Sequence, residues 1–195
     1  MVHETEQITQ LFSEYQDWKI IQNLVIDENI LQKGTVSTRK REFSEIKKRL
    51  FHTNSTHIDY ILTCTSDELK LYCLYLCSKS YRLIFEFIVE VLREKYFTFD
   101  YSILDSDYAR FIEAKTANSN KLQNITEKTE YKLKQVIFRI LEQSNLIDSA
   151  KSRNIQKPYV SEELVRLIAE DSPKYLACFL YADGEIKQIQ EGLYA

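Results

Sequence analysis

Residues 69–95 read LKLYCLYLCSKSYRLIFEFIVEVLREK, and this stretch decides the fold. Leu69, Tyr72, Cys73, Leu76 and Cys77 recur at steps of three and four, and Tyr81, Ile84, Phe85, Ile88, Val91 and Leu92 continue the pattern, which is the spacing of an apolar helical face. Because apolar residues occupy most of the circumference, these helices should form the buried centre, with the others packed around them. Leu69 to Leu92 is long enough to span a bilayer, but Lys79, Arg82, Glu86 and Glu90 interrupt it. It reads as core, opened by Ser66 with Asp67 and Glu68 as a helix start.

The flanks extend the same reading. Only three glycines and two prolines occur in 195 residues, too little punctuation for a β-sandwich or barrel, so the expectation is an all-α, compact multi-helix bundle. From Glu4 to Asn29, Ile8, Leu11, Phe12, Tyr15, Trp18, Ile21, Leu24 and Val25 mark one amphipathic helix, either continuous or with one break. A turn at Gly34 follows, then a helix to Phe51 with Ser37 and Thr38 as candidate caps. Beyond the central stretch come a short helix over 105–115, a polar Asn/Ser-rich loop, and a long helix from Thr126 to Asn145. A turn or short hairpin precedes Pro158, a helix starts at Ser161, and another lies around Pro173 to Tyr181. The polar loop divides the chain into 1–117 and 118–195, or joins them as one continuous domain. No internal repeat or low-complexity tract stands out.

Little points to catalysis. There is no Gly-rich phosphate loop, GxSxG, HExxH or CxxC, and His3, His52 and His57 have no evident carboxylate or nucleophile partner. Cys64, Cys73, Cys77 and Cys178 lie in apolar surroundings where a thiol behaves as a small hydrophobe, and the Cys73/Cys77 pair lacks two further zinc ligands nearby. The paired acids Asp105/Asp107 and Glu162/Glu163 suit helix N-termini without any chemistry. No enzyme activity, metal or cofactor is expected. The N-terminus has neither a basic nor an apolar leader region, which predicts a cytoplasmic protein.

Charge is more informative. The formal net charge is -3, yet residues 1–31 carry six acids against one lysine, while residues 32–51 carry seven bases against two acids. On the helix after Gly34, Phe43, Ile46 and Leu50 face one way while Arg41, Ser44 and Lys48 project from the other side, flanked by Lys40 and Lys47. Glu45 neutralises Arg49 four residues on. Lys33, Thr35, Ser37, Thr38 and Arg39 gather hydroxyls, charges and unpaired backbone N–H groups at the helix start, where phosphate oxygens bind.

The helix capped by Thr126 repeats the pattern. Leu133, Val136, Ile137, Ile140 and Leu141 make its expected buried stripe, and Lys128, Lys132, Gln135 and Arg139 its outward one, with Thr129 beside the cap. Lys151, Arg153 and Lys157 follow where a winged helix carries its wing. Stripes of this kind also occur on any solvated helix. Most aromatic residues sit at core spacing, which favours duplex over single-strand binding.

Three segments in order, ILQKGTVSTRKREFSEIKKRLF (30–51), LKLYCLYLCSKSYRLIFEFIVEVLREK (69–95) and LQNITEKTEYKLKQVIFRILEQSNLI (122–147), resemble the BrxA family of bacterial BREX phage-resistance loci. The resemblance runs from about Asn29 to Tyr181. It implies an all-helical fold of helix-turn-helix or winged-helix character, partly similar to the antitermination factor NusB, with DNA binding and no known enzymatic activity. By position, the family's basic turn and helix fall on Lys33 to Lys48, and its second TxxT helix start on Thr126 and Thr129.

The reading is an accessory phage-defence protein that binds duplex DNA through phosphate contacts and docks other BREX subunits, with no membrane partner. Two rivals stand beside it: a protein–protein adaptor without direct nucleic-acid contact, and a NusB-like RNA binder.

Overall fold

The long apolar stretch is divided at Tyr81, whose extended backbone (φ -132°, ψ 95°) separates two helices. The computed structural model describes residues 1–51, 53–117 and 123–193, and its chain forms two compact units, Met1–Ser80 and Tyr81–Ala195. Each half of the stretch supplies the core of its own unit.

The first unit contains α1 (Val2–Tyr15), α2 (Trp18–Ile26), α3 (Val36–Leu50), α4 (Ser55–Thr63) and α5 (Ser66–Ser80). The first helix does break, at Gln16, which takes a left-handed conformation (φ 50°), and Asp17 then caps α2 by accepting from Lys19 N at 2.7 Å. Two caps lie earlier than the sequence suggests. Thr35, rather than Ser37 or Thr38, caps α3. At α5, Thr65 and Glu68 form a reciprocal box: Glu68 N donates to Thr65 Oγ1 (3.3 Å) and Thr65 N to Glu68 Oε2 (3.0 Å).

Ile8, Ile21, Val25, Phe43, Ile46, Ile61 and Leu76 are buried in this unit, as are Tyr72 and Tyr75 of α5. The Tyr72 hydroxyl lies 2.6 Å from His57 Nδ1, so this buried histidine is a satisfied core residue. His52 lies outside the described residues. Burial raises the Cys73 thiol to about 12 and pushes Cys77 the same way, so neither ionises near neutral pH.

In the second unit, α6 (Arg82–Phe87) runs through a π-helical segment (Ile88–Arg93) into α7 (Glu94–Phe97). Then come α8 (Asp105–Ala117), α9 (Glu127–Gln143), α10 (Glu162–Asp171), a 3-10 helix (Pro173–Phe179) and α11 (Asp183–Leu193). Phe87 sits at the centre and meets Tyr108, Phe111 and Phe138 edge-on at 5.9, 5.1 and 5.9 Å. Residues 118–122, in the loop expected to mark a boundary, lie outside the described residues.

The hairpin before Pro158 is present, but as single bridges: Ile147 pairs with Ile155, and Ser102 pairs with Asn154. Among the described residues these bridges are the whole of the extended pairing, so the fold is all-helical as expected. No helix among them is long and apolar enough to cross a membrane. The helix expected at Pro173 winds as 3-10, and α11 beyond it was not expected.

Candidate nucleic-acid interface

The two basic helices begin with the same local device. At α3, Thr38 N donates to Thr35 Oγ1 (3.1 Å) and the two hydroxyls lie 2.9 Å apart. At α9, Thr129 N donates to Thr126 Oγ1 (3.3 Å) and the hydroxyls lie 3.0 Å apart. Counted from each threonine cap, Ser37, Arg41, Ser44 and Lys48 occupy the same positions as Lys128, Lys132, Gln135 and Arg139. All eight side chains are exposed. At about 100° per residue, each set falls within a fan of about 60° and extends over about 16 Å of helix. On the opposite side, Ile46 and Leu50 of α3 and Ile137 and Leu141 of α9 hold equivalent buried positions.

Around α3 the structure divides the remaining candidates. Lys40 is exposed. The ammonium of Lys33 is hydrogen-bonded to Glu4, which raises its pKa, and also lies 3.8 Å from Glu42. Lys47 lies against the aromatic side of the helix, 5.3 Å from the Trp18 ring centre and 5.9 Å from that of Phe43. Arg39 is partly covered, and among the described residues its buried Nε has no hydrogen-bond partner.

On α9, Thr126 and Thr129 are exposed beside the cap, together with Tyr131, which lies next to Lys132. The expected buried stripe is rotated: Val136 is exposed, and Phe138 is buried in its place. Phe138 packs edge-on against Phe87 and under the Arg153 guanidinium, 4.3 Å from its ring centre.

The hairpin is stiffened from within. Asp148 accepts from Ser149 N, Asn154 N and Asn154 Nδ2 at 2.6, 2.9 and 2.7 Å; burial opposes ionisation, but these bonds outweigh it and hold the carboxyl near 2. Of its three bases, Lys151 reaches solvent at the turn. Arg153 is bound at 2.5 Å to Asp105, which also holds Lys134 at 2.6 Å. Lys157 lies 3.6 Å from Glu185 and over the Tyr181 ring.

Sequence reading missed one exposed feature of this unit. Phe97 at the end of α7, and Phe99, Tyr101 and Leu104 between α7 and α8, all reach solvent, and Phe99 does so 79% exposed with φ 61°, a conformation bulky residues rarely take. The signal was FTFDY, which breaks helical spacing and so shows only as a turn. Among the described residues no group of three or more His, Cys, Asp or Glu side chains is placed to hold a metal ion.

The BrxA family model matches residues 1–172. The chain belongs to the BrxA family. A curated relative, the BREX protein BrxA of Bacillus cereus (strain H3081.97), is 33% identical over 149 residues, covering 76% of this chain and 74% of that BrxA. The fold also matches a crystal structure of an uncharacterized protein from Magnetospirillum magneticum, with a TM-score of 0.80, 19% identity and coverage of 91% of this chain and 92% of the other. That likeness shows that the helical arrangement of this BrxA-family chain recurs at low sequence identity.

Proposed function

We propose that this BrxA-family protein is an accessory component of a BREX-type phage-defence system that binds duplex DNA, mainly through phosphate contacts, and catalyses no reaction. One observation carries the reading: two helices with the same Thr-x-x-Thr start present polar and basic side chains at the same four positions, opposite a buried stripe. A helix start offers unpaired N–H groups and a positive dipole end to a phosphate, and the stripe behind it follows a groove.

In the second unit, helix, bridge, helix, helix and hairpin follow one another, with Ser102 pairing to the returning arm at Asn154. That order suits a winged helix in which α9 enters the major groove and Lys151 on the hairpin reaches the backbone. Arg39, partly exposed on α3, belongs to the same proposed surface in the first unit. Lys33, Arg153 and Lys157 serve by holding the helix start and hairpin in place rather than by touching DNA.

The test is fluorescence anisotropy of a labelled duplex of roughly 30 base pairs over a range of salt, with structured RNA as competitor. About five phosphate contacts predict a log–log slope of about -4 to -5, with poor competition by RNA. Efficient RNA competition would favour the NusB-like alternative. No binding near 50 mM salt would leave the adaptor, which the exposed Phe97, Phe99, Tyr101 and Leu104 favour as a place for a partner subunit. Co-purification with neighbouring defence proteins, unaffected by nuclease, would then support it.

A further inference from the structure

A cavity of about 450 Å³ opens in the second unit where the π-helical segment, the 3-10 helix and α11 meet. Arg93 lines it from the π-helical segment, Lys174 from the 3-10 helix, and Lys187 from α11. Its size is within the usual range for small-molecule sites, about 300–1,000 Å³. Turns of π-helix are rare and concentrate at functional sites.

Arg93 is the unusual member. Its side chain is only 9% exposed, and a guanidinium cannot shed its charge, so burial requires partners. It donates from Nε to the Tyr181 carbonyl (2.9 Å) and from Nη2 to Asp183 (2.5 Å), and it lies 5.2 Å from the centre of the Phe97 ring. That accounts for two of five N–H donors among the described residues. The carboxylate opposite it is 89% exposed, so Asp183 is a solvated partner that a stronger anion can displace.

The charges are unbalanced in favour of an anion. Arg93, Lys174 and Lys187 face one lining carboxylate, Asp183. Lys187 has Glu191 at 3.8 Å, an exposed pair of the weakest kind, and Lys174 lies over the Tyr175 ring. Val89, Ala177 and Ile186 give the same cavity apolar walls. One guanidinium fork, two ammonium groups and apolar walls suit a phosphate dianion attached to a small organic group.

We propose that this cavity binds a small organic phosphate, with the phosphate on Arg93, Lys174 and Lys187 in place of the Asp183 carboxylate, and the organic part against Val89, Ala177 and Ile186. The cavity shares no residue with the DNA-binding surface proposed for α3 and α9.

Calorimetric titration of the full chain with inorganic phosphate and with adenosine monophosphate tests this, using sodium chloride at matched ionic strength as reference. Saturable binding is expected for both, tighter for the nucleotide. Asp183→Asn should tighten phosphate binding several-fold by removing the competing carboxylate. Lys174→Gln with Lys187→Gln should weaken it about tenfold while leaving duplex binding unchanged. Both lysines are exposed, so this pair should fold normally where an Arg93 substitution need not. Phosphate acting no differently from chloride, weaker binding by the Asp183→Asn protein, or an equal loss of duplex binding in the lysine pair would each overturn the proposal.

Discussion

Asp105 joins three segments that lie far apart in the sequence. Its carboxylate accepts from Lys134 of α9 and Arg153 of the hairpin, and those two bonds hold its pKa at about 2. The sign follows from linkage: a carboxyl depressed in the folded state contributes stability above its unfolded value of about 3.9 and loses it as pH falls towards 2. Asp105→Asn should therefore cost roughly 0.5–1 kcal/mol at neutral pH, a small value because the carboxylate is largely solvated, and the difference from wild type should shrink between about pH 4 and pH 2. Urea denaturation at both ends of that range measures it. A constant difference would place the effect in packing instead. At this scale the sequence is legible only when partners are close in it. Thr126 and Thr129 declare a cap because they are three residues apart. Glu4 with Lys33, Asp105 with Arg153 and Glu185 with Lys157 are far apart, and no local spacing reveals that these lysines and this arginine are engaged.

At the scale of the element, most helices are legible from periodicity, but the face they bury is not always so. On α9, Val136 and Phe138 flank Ile137, and apolar spacing selects Val136. The choice goes to Phe138 because its neighbours are aromatic: Phe87 and Tyr108 meet its ring, and Arg153 covers it. Phe138→Ala should cost about 3–5 kcal/mol, whereas Val136→Ala should stay within about 0.5 kcal/mol of wild type by the same denaturation assay. Equal costs would restore the stripe that the sequence suggests. The caps of α3 and α9 are a matched pair, so Thr35→Ala and Thr126→Ala should each lose about 1 kcal/mol, and serine at either position should recover most of it. α11 lies beyond the last helix expected from the sequence, although Ile186, Ile189 and Leu193 keep helical spacing; its glycines at 184 and 192 lower helix propensity. The π-helical segment leaves no trace in hydrophobic spacing at all.

For the whole molecule, the decisive fact is that a chain of net charge -3 concentrates its exposed basic stripes on two helices, one in each unit. On the proposed reading, a negative total repels DNA at long range, and attraction comes from short-range contacts along those stripes. Each neutralised phosphate contributes about 0.9 to the salt slope, which makes the slope a count of contacts. Two double variants then distinguish which unit binds: Arg41→Gln with Lys48→Gln on α3, and Lys132→Gln with Arg139→Gln on α9. If both helices lie on the duplex together, each pair should reduce the slope by about 1.8, and the four substitutions combined by about 3.6. If one unit alone binds, its pair should account for the whole change and the other pair should leave the slope untouched. Because all four side chains are exposed, thermal unfolding of the variants should match wild type, so any change in slope reports on contacts rather than on folding.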